Sequence, residues 1–369
     1  MKINHHRGQT NLFFSNKNNL DDKSLTLCLE EDIFIVDKNL SEIFYKFFNI
    51  GNYHINNFYQ IKASEEQKDI SKVSKLIELI LRKNNTPKRI ITFGGGILQD
   101  ISGLCAALIR RGIEWVYVPT TLLSMADSCI GSKISINVNS AKNQVGLFYP
   151  PKLIYIYPKL LASLPTDQYL SGAGDILHYA LQNNLINRTF METLPSLFNE
   201  FNSSNILEVV QETLLIKKKF AECDEFDQTT RRALNLGHSF GHAIELASSY
   251  EIPHGIAVII GCSLAFKYSI KNKYLDPNFF GNHIKLINML LLRSKEYWCI
   301  KKIQFDLLKI GMMKDKKNKS SEKINLILPF GLDLDNFKII QHEEKNEDVF
   351  NYLNKVIINN YFDFKSISL

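Results

Sequence analysis

"KRIITFGGGILQDISGLCAALIRRGIEWVYVP", residues 88–119, decides the fold. "KRIITFGGG" (88–96) is a β-branched and aromatic run that ends in three glycines. "DISGLCAALIRRG" (100–112) carries apolar residues at helical spacing, and "EWVYVP" (114–119) is a second buried run. Strand, helix, strand in that rhythm predicts parallel strands with a helix over them. Outward from this unit, "DIFIVD" (32–37) and "YQIKA" (59–63) read as further strands, and "SKVSKLIELILRK" (71–83) as an amphipathic helix. Past residue 160 the character changes. "TDQYLSGAGDILHYALQNN" (166–184), "NILEVVQETLLIKKKFAECD" (205–224), "GHSFGHAIELASSY" (237–250) and "HGIAVIIGCSLAFKYSIK" (254–271) all read as helices. The expectation is an α/β domain over residues 1–160 and a mostly helical domain over 161–369.

Composition narrows the class. Of 369 residues, 45% are hydrophobic and 22% charged, enough for a sizeable core. A formal charge of +6 is mild, and its densest basic run, "MKDKKNKSSEK" (313–323), is interrupted by acids and reads as a solvated loop. Nothing clusters Lys, Arg and aromatics as nucleic-acid binding requires. The positive balance suits steering of a small anionic substrate. Six cysteines show no paired spacing, as expected in a reducing compartment, and no apolar run suits a signal peptide or membrane span. The chain therefore reads as cytoplasmic, without nucleic-acid or membrane partners.

Three stretches carry chemistry. In "TFGGGILQD" a strand runs through glycines into a helix, a geometry that lets backbone N–H groups approach a phosphate; a tight turn alone has the same look. Asp37, an acid at a strand end, suits a ribose hydroxyl. "VPTTLLSMADSCIGSKISINVNSAKNQVGLFYPP" (118–151) offers little reason to be a core element, but sets Asp127, Lys133, Lys142 and Asn143 among small residues. Such a segment serves an anionic, hydroxylated substrate, or is a surface loop bearing lysines. "RRALNLGHSFGHAIE" (231–245) puts His238 and His242 one turn apart on one helix face, and His254 follows in "PHG". Near Arg231 and Asn235, this trio suits a catalytic metal, with one imidazole free to act as a base. The acid such a site wants is Asp175, in "SGAGDILHYAL", which shares a helix face with His178.

The order GGG…D, PTTLL…D…K…KN, an acid before Y, NLGHxFGHA and HG resembles dehydroquinate synthase and, more broadly, the NAD- and zinc-dependent sugar-phosphate cyclases. The resemblance runs from about residue 60 to 325. It implies an α/β nucleotide-binding domain followed by a mostly helical domain that binds metal and substrate. It implies metal ligands Asp175, His238 and His254 for Zn2+ (or Co2+), and an NAD site lined by Asp37, Glu65, Lys68, Gly95, Gly96, Asp100, Thr120 and Thr121. Arg111, Lys142, Asn143, Arg231, Asn235 and Lys316 would hold a sugar phosphate; His242, Asp127, Lys133, Lys217 and His178 would act in catalysis. Arg111 matches an arginine that reaches the neighbouring subunit's site, implying a homodimer. The implied reaction converts a seven-carbon 3-deoxy keto-acid phosphate to 3-dehydroquinate, with loss of phosphate, in aromatic amino-acid biosynthesis.

Several positions depart from the family pattern. Asp175 replaces a glutamate, so its helix must approach the metal more closely; His178 replaces a lysine. Ile256 stands where an acid follows "HG", and Gln99 and Ser132 stand where glycines do. Two features point back to the keto acid. Cyclases of sedoheptulose 7-phosphate lack the second histidine and the asparagine that stand here as His242 and Asn235. Arg231 with Lys217 suits a carboxylate, which glucose 6-phosphate lacks. The alternatives are a related cyclase of a secondary pathway, a metal-dependent alcohol dehydrogenase, and a homologue that has lost catalysis.

Overall fold

The computed structural model describes residues 1–20, 25–50, 55–83, 87–138, 141–197, 203–298, 303–314 and 322–358. The chain forms two compact units: Met1–Leu164 with Ser203–Phe226, and Pro165–Asn202 with Asp227–Leu369.

In the first unit, β1 (Lys2–His5), β2 (Gly8–Phe14), β3 (Asp32–Asp37), β4 (Phe58–Ile61), β5 (Arg89–Gly94), β6 (Glu114–Pro119) and β9 (Leu153–Ile156) form one sheet. Their order is β1-β2-β9-β6-β5-β3-β4, and every neighbouring pair is parallel except β1 with β2. Strands of a parallel sheet covered on both faces read as unbroken apolar runs. Accordingly, Ile33, Phe34, Ile35 and Val36 of β3 are all fully buried. Helices α1 (Ser41–Phe47), α2 (Ile70–Lys83) and α3 (Gly96–Leu108) connect the strands; α2 buries Val73, Leu76 and Ile80 along one stripe. From β3 the chain steps outward to β4, whereas from β5 it steps the opposite way to β6. That reversal puts the switch point of the sheet at the carboxyl ends of β3 and β5, where Asp37 and Gly94 lie.

The stretch 118–151 is more ordered than its composition suggests. A π-turn spans Ser124–Ser128, and β7 (Lys133–Val138) pairs with β8 (Ala141–Phe148) as an antiparallel hairpin. Ile134 and Ile136 alternate inward, an apolar signal diluted by the polar residues on the opposite face.

The second unit contains α4 (Thr166–Ala180), α5 (Arg188–Ser196), α7 (His238–Ala247), α8 (His254–Lys271), α9 (Gly281–Arg293), α10 (Phe305–Met313), the ribbon β10 (Lys323–Phe330) with β11 (Lys338–Lys345), and α11 (Asn346–Ile358). Helix α8 is its axis: every residue from Gly255 to Phe266 is buried, as a helix apolar all round requires. Glycines let α7 press against it. Gly237 adopts φ 79° directly before α7, and a Cβ there would lie 2.6 Å from Cys262 Sγ, so both backbone and space demand glycine. Between α5 and α7 in the chain, α6 (Ser203–Cys223) belongs with the first unit instead. A single break at residue 160 does not anticipate that return, because amphipathic spacing shows that a helix has an apolar face and not which core receives it. No helix among the described residues is long and apolar enough to cross a membrane.

Candidate metal and substrate site

In the second unit, one residue from each of three helices converges on a point. Asp175 comes from the middle of α4, and His238 and His254 open α7 and α8. His238 Nε2 lies 3.7 Å and His254 Nε2 3.5 Å from the same Asp175 Oδ1. One donor atom from each residue falls within 4.8 Å of the others. Bonds of about 2.1 Å to a tetrahedral centre put donors about 3.4 Å apart. The set is therefore already near the dimensions of a Zn2+ or Co2+ site, and two nitrogens with one oxygen suit such an ion. Asp175 is only 2% exposed, so a divalent charge would offset the cost of its burial.

The outer contacts indicate which nitrogens would face an ion. His254 Nδ1 lies 3.0 Å from Glu245 Oε2, and His238 Nδ1 lies 3.3 Å from the Leu236 carbonyl oxygen. Carboxylate and carbonyl oxygens only accept, so these contacts favour the proton on each Nδ1, which would leave each Nε2 lone pair available to a metal. Glu245 and the Leu236 carbonyl are absent from the sequence reading. Glu245, on α7 three residues after His242, is a signal that could have found the first; a backbone oxygen leaves none. His242, Glu245 and His254 also place donor atoms within 4.8 Å of one another. In the arrangement above, His254 serves both sets at once, with Nε2 toward Asp175 and Nδ1 toward Glu245.

His242 is exposed, its ring stacked 5.5 Å from that of His254. His178 is 2% exposed, its ring 4.9 Å from that of His238. Arg231 and Asn235 lie on the 3-10 turn Thr230–Asn235 that leads into α7; Arg231 is buried, and Asn235 Nδ2 donates to the Arg232 carbonyl (3.1 Å). Lys316 lies outside the described residues.

The first unit gathers a second group. Asp37 ends β3, accepts the Asn39 N–H (3.0 Å), and is held above its ordinary pKa by burial. Gly95 caps α3, lying against Thr121, and Gly96 opens it; a Cβ on Gly96 would meet nothing nearer than Ser128 Oγ at 3.7 Å. Backbone at the helix start is thus open to a ligand at the switch point, which fits a dinucleotide phosphate. Thr120 is buried at the end of β6. Thr121 Oγ1 bonds Ser124 Oγ at 2.8 Å and so caps the π-turn. Lys68 Nζ lies 2.6 Å from Asp100 Oδ2 and donates to Asn143 Oδ1 (2.9 Å). Glu65 accepts from Asn137 Nδ2 (2.7 Å), whose Oδ1 accepts the Asn143 N–H (2.8 Å). Residues expected at the cofactor thus bond directly to the β7–β8 hairpin, and Asn137, unassigned in the sequence, joins them.

Buried Lys217, on α6, donates to the Asp127 carboxylate (2.6 Å) and backbone oxygen (2.7 Å). Lys133 and Lys142 are exposed on the hairpin. Both positions where glycines are expected, 99 and 132, have local features of their own. Ser132 takes φ 65°, a conformation that favours glycine, while its Oγ bonds Glu225 (2.5 Å). Gln99 makes a reciprocal pair with Ser128, donating to its carbonyl and accepting from its Oγ, both at 2.6 Å. Ile256 is fully buried in α8. Arg111 is exposed at φ 65°, between Arg110 at φ 50° and Gly112 at φ 122°. Arg110 and Arg111 are two successive non-glycine residues at positive φ, a strained arrangement that Gly112 next to them adopts freely.

Comparison with known proteins sets this geometry in context. Residues 58–171 match the family described as 3-dehydroquinate synthase N-terminal, and 172–318 that described as 3-dehydroquinate synthase C-terminal. The 3-dehydroquinate synthase of Pelagibacter ubique (strain HTCC1062) is 34% identical over 321 residues, covering 85% of this chain and 84% of that protein. That of Buchnera aphidicola subsp. Cinara cedri is 33% identical over 331 residues, covering 88% and 85%. Among solved structures, 2-deoxy-scyllo-inosose synthase complexed with carbaglucose-6-phosphate, NAD+ and Co2+ shares the fold: TM-score 0.80, 22% identity, 96% of this chain and 99% of that one. So does 2-epi-5-epi-valiolone synthase from Streptomyces hygroscopicus subsp. jinggangensis 5008, with NAD+ and Zn2+ bound: TM-score 0.73, 20% identity, 95% and 97%. An iron-containing alcohol dehydrogenase has the same architecture at lower similarity, with TM-score 0.61 and 16% identity over 94% of this chain and 97% of that one. With both halves matched and curated relatives above 30% identity over most of their length, the chain belongs to the 3-dehydroquinate synthase family.

Proposed function

We propose that the protein is an NAD- and metal-dependent lyase that cyclises 3-deoxy-D-arabino-heptulosonate 7-phosphate to 3-dehydroquinate and releases phosphate. The observation that carries the reading is the Asp175, His238 and His254 donor set, with Glu245 and Leu236 orienting both imidazoles, in a chain of this family. Bound there and at the sheet's switch point, a divalent metal supplies Lewis acidity and NAD supplies a reversible hydride acceptor.

The residues of the chain do the rest. Arg231 presents a planar guanidinium suited to the substrate carboxylate. Asn235 and His178 donate to hydroxyls, while Lys133, Lys142 and Asn143 bind the hydroxyl and phosphate oxygens. Lys316 adds to the same anion binding. His242 moves a proton at its imidazole during phosphate loss. Asp127 orients Lys217, whose ammonium is held by two oxygens of that residue. In the first unit, Asp37 accepts the ribose hydroxyls, and the α3 N-terminus with Gly95 and Gly96 receives the pyrophosphate. Thr120, Thr121, Glu65, Lys68 and Asp100 line the same cofactor. Holding one conformer of a flexible substrate is the main positioning contribution. We further infer a cytoplasmic homodimer with Zn2+ as the resident ion, Arg111 reaching the partner's site.

The test is phosphate release by purified protein with NAD and Zn2+, comparing the keto-acid phosphate with sedoheptulose 7-phosphate and glucose 6-phosphate. Release from the keto acid alone, abolished by a chelator, is the expected result. Release from either other sugar assigns the chain to a secondary pathway, and release from none refutes the proposal.

A further inference from the structure

A shortened metal ligand meets an unusually close helix contact. Asp175 has one methylene fewer than a glutamate, so α4 must come nearer to the metal for its carboxylate to bind. The residue before it is Gly174, and a Cβ built there would collide with the Gly255 carbonyl oxygen and lie 2.8 Å from Gly255 Cα. Gly255 follows the ligand His254 at the start of α8. The approach is mutual: a Cβ on Gly255 would lie 2.6 Å from the Ser171 carbonyl carbon, and the Gly255 N–H donates to Ser171 Oγ (3.0 Å). Backbone therefore rests on backbone immediately beside two metal ligands. Asp175 Oδ1 stands 3.5 Å from His254 Nε2.

We infer that Gly174 is a positioning residue: its missing side chain brings α4 against the start of α8 by the amount that lets an aspartate at 175 share a metal with His254. The magnitudes match. Restoring ordinary contacts of about 3.8 Å between a Cβ at 174 and the Gly255 carbonyl and Cα carbons requires a shift of about 1–1.4 Å. The extra methylene of a glutamate adds about 1.3 Å of reach, from a carbon–carbon bond of about 1.5 Å. Glycine before aspartate is one solution to the distance; alanine before glutamate is another. The mixed pairs are each wrong, with alanine before aspartate falling short and glycine before glutamate overreaching.

The inference rests on the metal site proposed above, and a titration with Co2+ alone separates the two ideas. Wild type and His238→Ala test the site itself. Wild type that binds no Co2+, or His238→Ala that binds it as wild type does, removes the metal site and this inference together. Given the site, Gly174→Ala is expected to weaken Co2+ about 10- to 100-fold, the usual range for loss of a ligand's support. Asp175→Glu alone is expected to weaken it about tenfold or more. The double variant Gly174→Ala/Asp175→Glu is expected to bind at least about tenfold more tightly than Gly174→Ala. A merely structural glycine gives no such rescue. Wild-type affinity in folded Gly174→Ala, or no recovery in the double variant, overturns the inference. If Gly174→Ala does not fold, Asp175→Glu decides: weaker Co2+ binding supports the inference, and equal or tighter binding overturns it.

Discussion

Replacing Glu245 by alanine leaves all three metal donors in place and removes only what orients one of them. Glu245 Oε2 lies 3.0 Å from His254 Nδ1, and its side chain is 16% exposed, so water replaces it imperfectly. A hydrogen bond to a charged group contributes about 1.5–3 kcal/mol, and the loss of a carboxylate behind a metal-bound histidine lowers metal affinity about 10- to 100-fold. The two ranges agree, since 100-fold corresponds to about 2.7 kcal/mol. Part of the loss is the freed tautomer: without Glu245, Nε2 becomes a competent place for the proton that metal binding must displace. Glu245→Gln separates the contributions, because the amide oxygen still accepts from Nδ1 but carries no charge. Competitive Co2+ or Zn2+ titration should therefore rank wild type above Glu245→Gln, and that variant above Glu245→Ala, with little change in the urea midpoint. Wild-type affinity in Glu245→Ala would refute the hydrogen-bond assignment. Complete loss of metal with three donors intact would mean that Glu245 is itself a ligand, as the grouping with His242 and His254 permits.

Other expectations follow from the same geometry. Arg231→Ala should raise KM for the keto-acid phosphate at least about 30-fold while NAD affinity stays near wild type, in line with the 2–5 kcal/mol seen on removing one partner of a buried charged pair; equal losses in both would contradict its role at the carboxylate. Lys68→Met removes the partner of Asp100 and Asn143, and should cost about 2 kcal/mol in urea unfolding together with a weaker Kd for NAD; unchanged stability and NAD binding would count against the network. His283 is 1% exposed and donates from Nε2 to the Asn183 carbonyl (2.7 Å); burial holds its pKa below the ordinary 6.5. Below pH 6.5 the unfolded chain takes up a proton that the folded protein refuses, so stability is full above that pH and declines as pH falls toward the lower folded value. Urea unfolding across this window should show the decline, and His283→Gln should flatten it; an unaltered slope would assign the effect elsewhere.

The parts of the fold legible in the sequence are those written in local periodicity. β3 occupies the whole of "DIFIVD" and α8 the whole of "HGIAVIIGCSLAFKYSIK", because run length separates the two apolar stretches: six residues, mostly β-branched and aromatic, suit a strand, and eighteen residues suit a helix. Residues 2–14 gave no such signal, yet β2 extends the sheet through parallel pairing with β9, a partner some 140 positions away in the chain. The return of α6 to the first unit is long-range in the same sense. In the site, side chains with distinctive chemistry (the three histidines and Asp175) were readable, whereas what holds them was not. A carbonyl at Leu236, a glycine contact between Gly174 and Gly255, and the Asn137 bridge depend on tertiary proximity that spacing does not encode.

The central claim is that hydride leaves the substrate and returns to it within one turnover, so that NAD is spent only catalytically. The most direct measurement follows phosphate and NADH together, in protein loaded with Zn2+, substoichiometric NAD and excess 3-deoxy-D-arabino-heptulosonate 7-phosphate. The account predicts many equivalents of phosphate per NAD with no net NADH, and loss of phosphate release in His238→Ala. NADH accumulating in step with substrate consumption, or NADH formed without phosphate release, would make the protein a dehydrogenase on this scaffold and contradict the account.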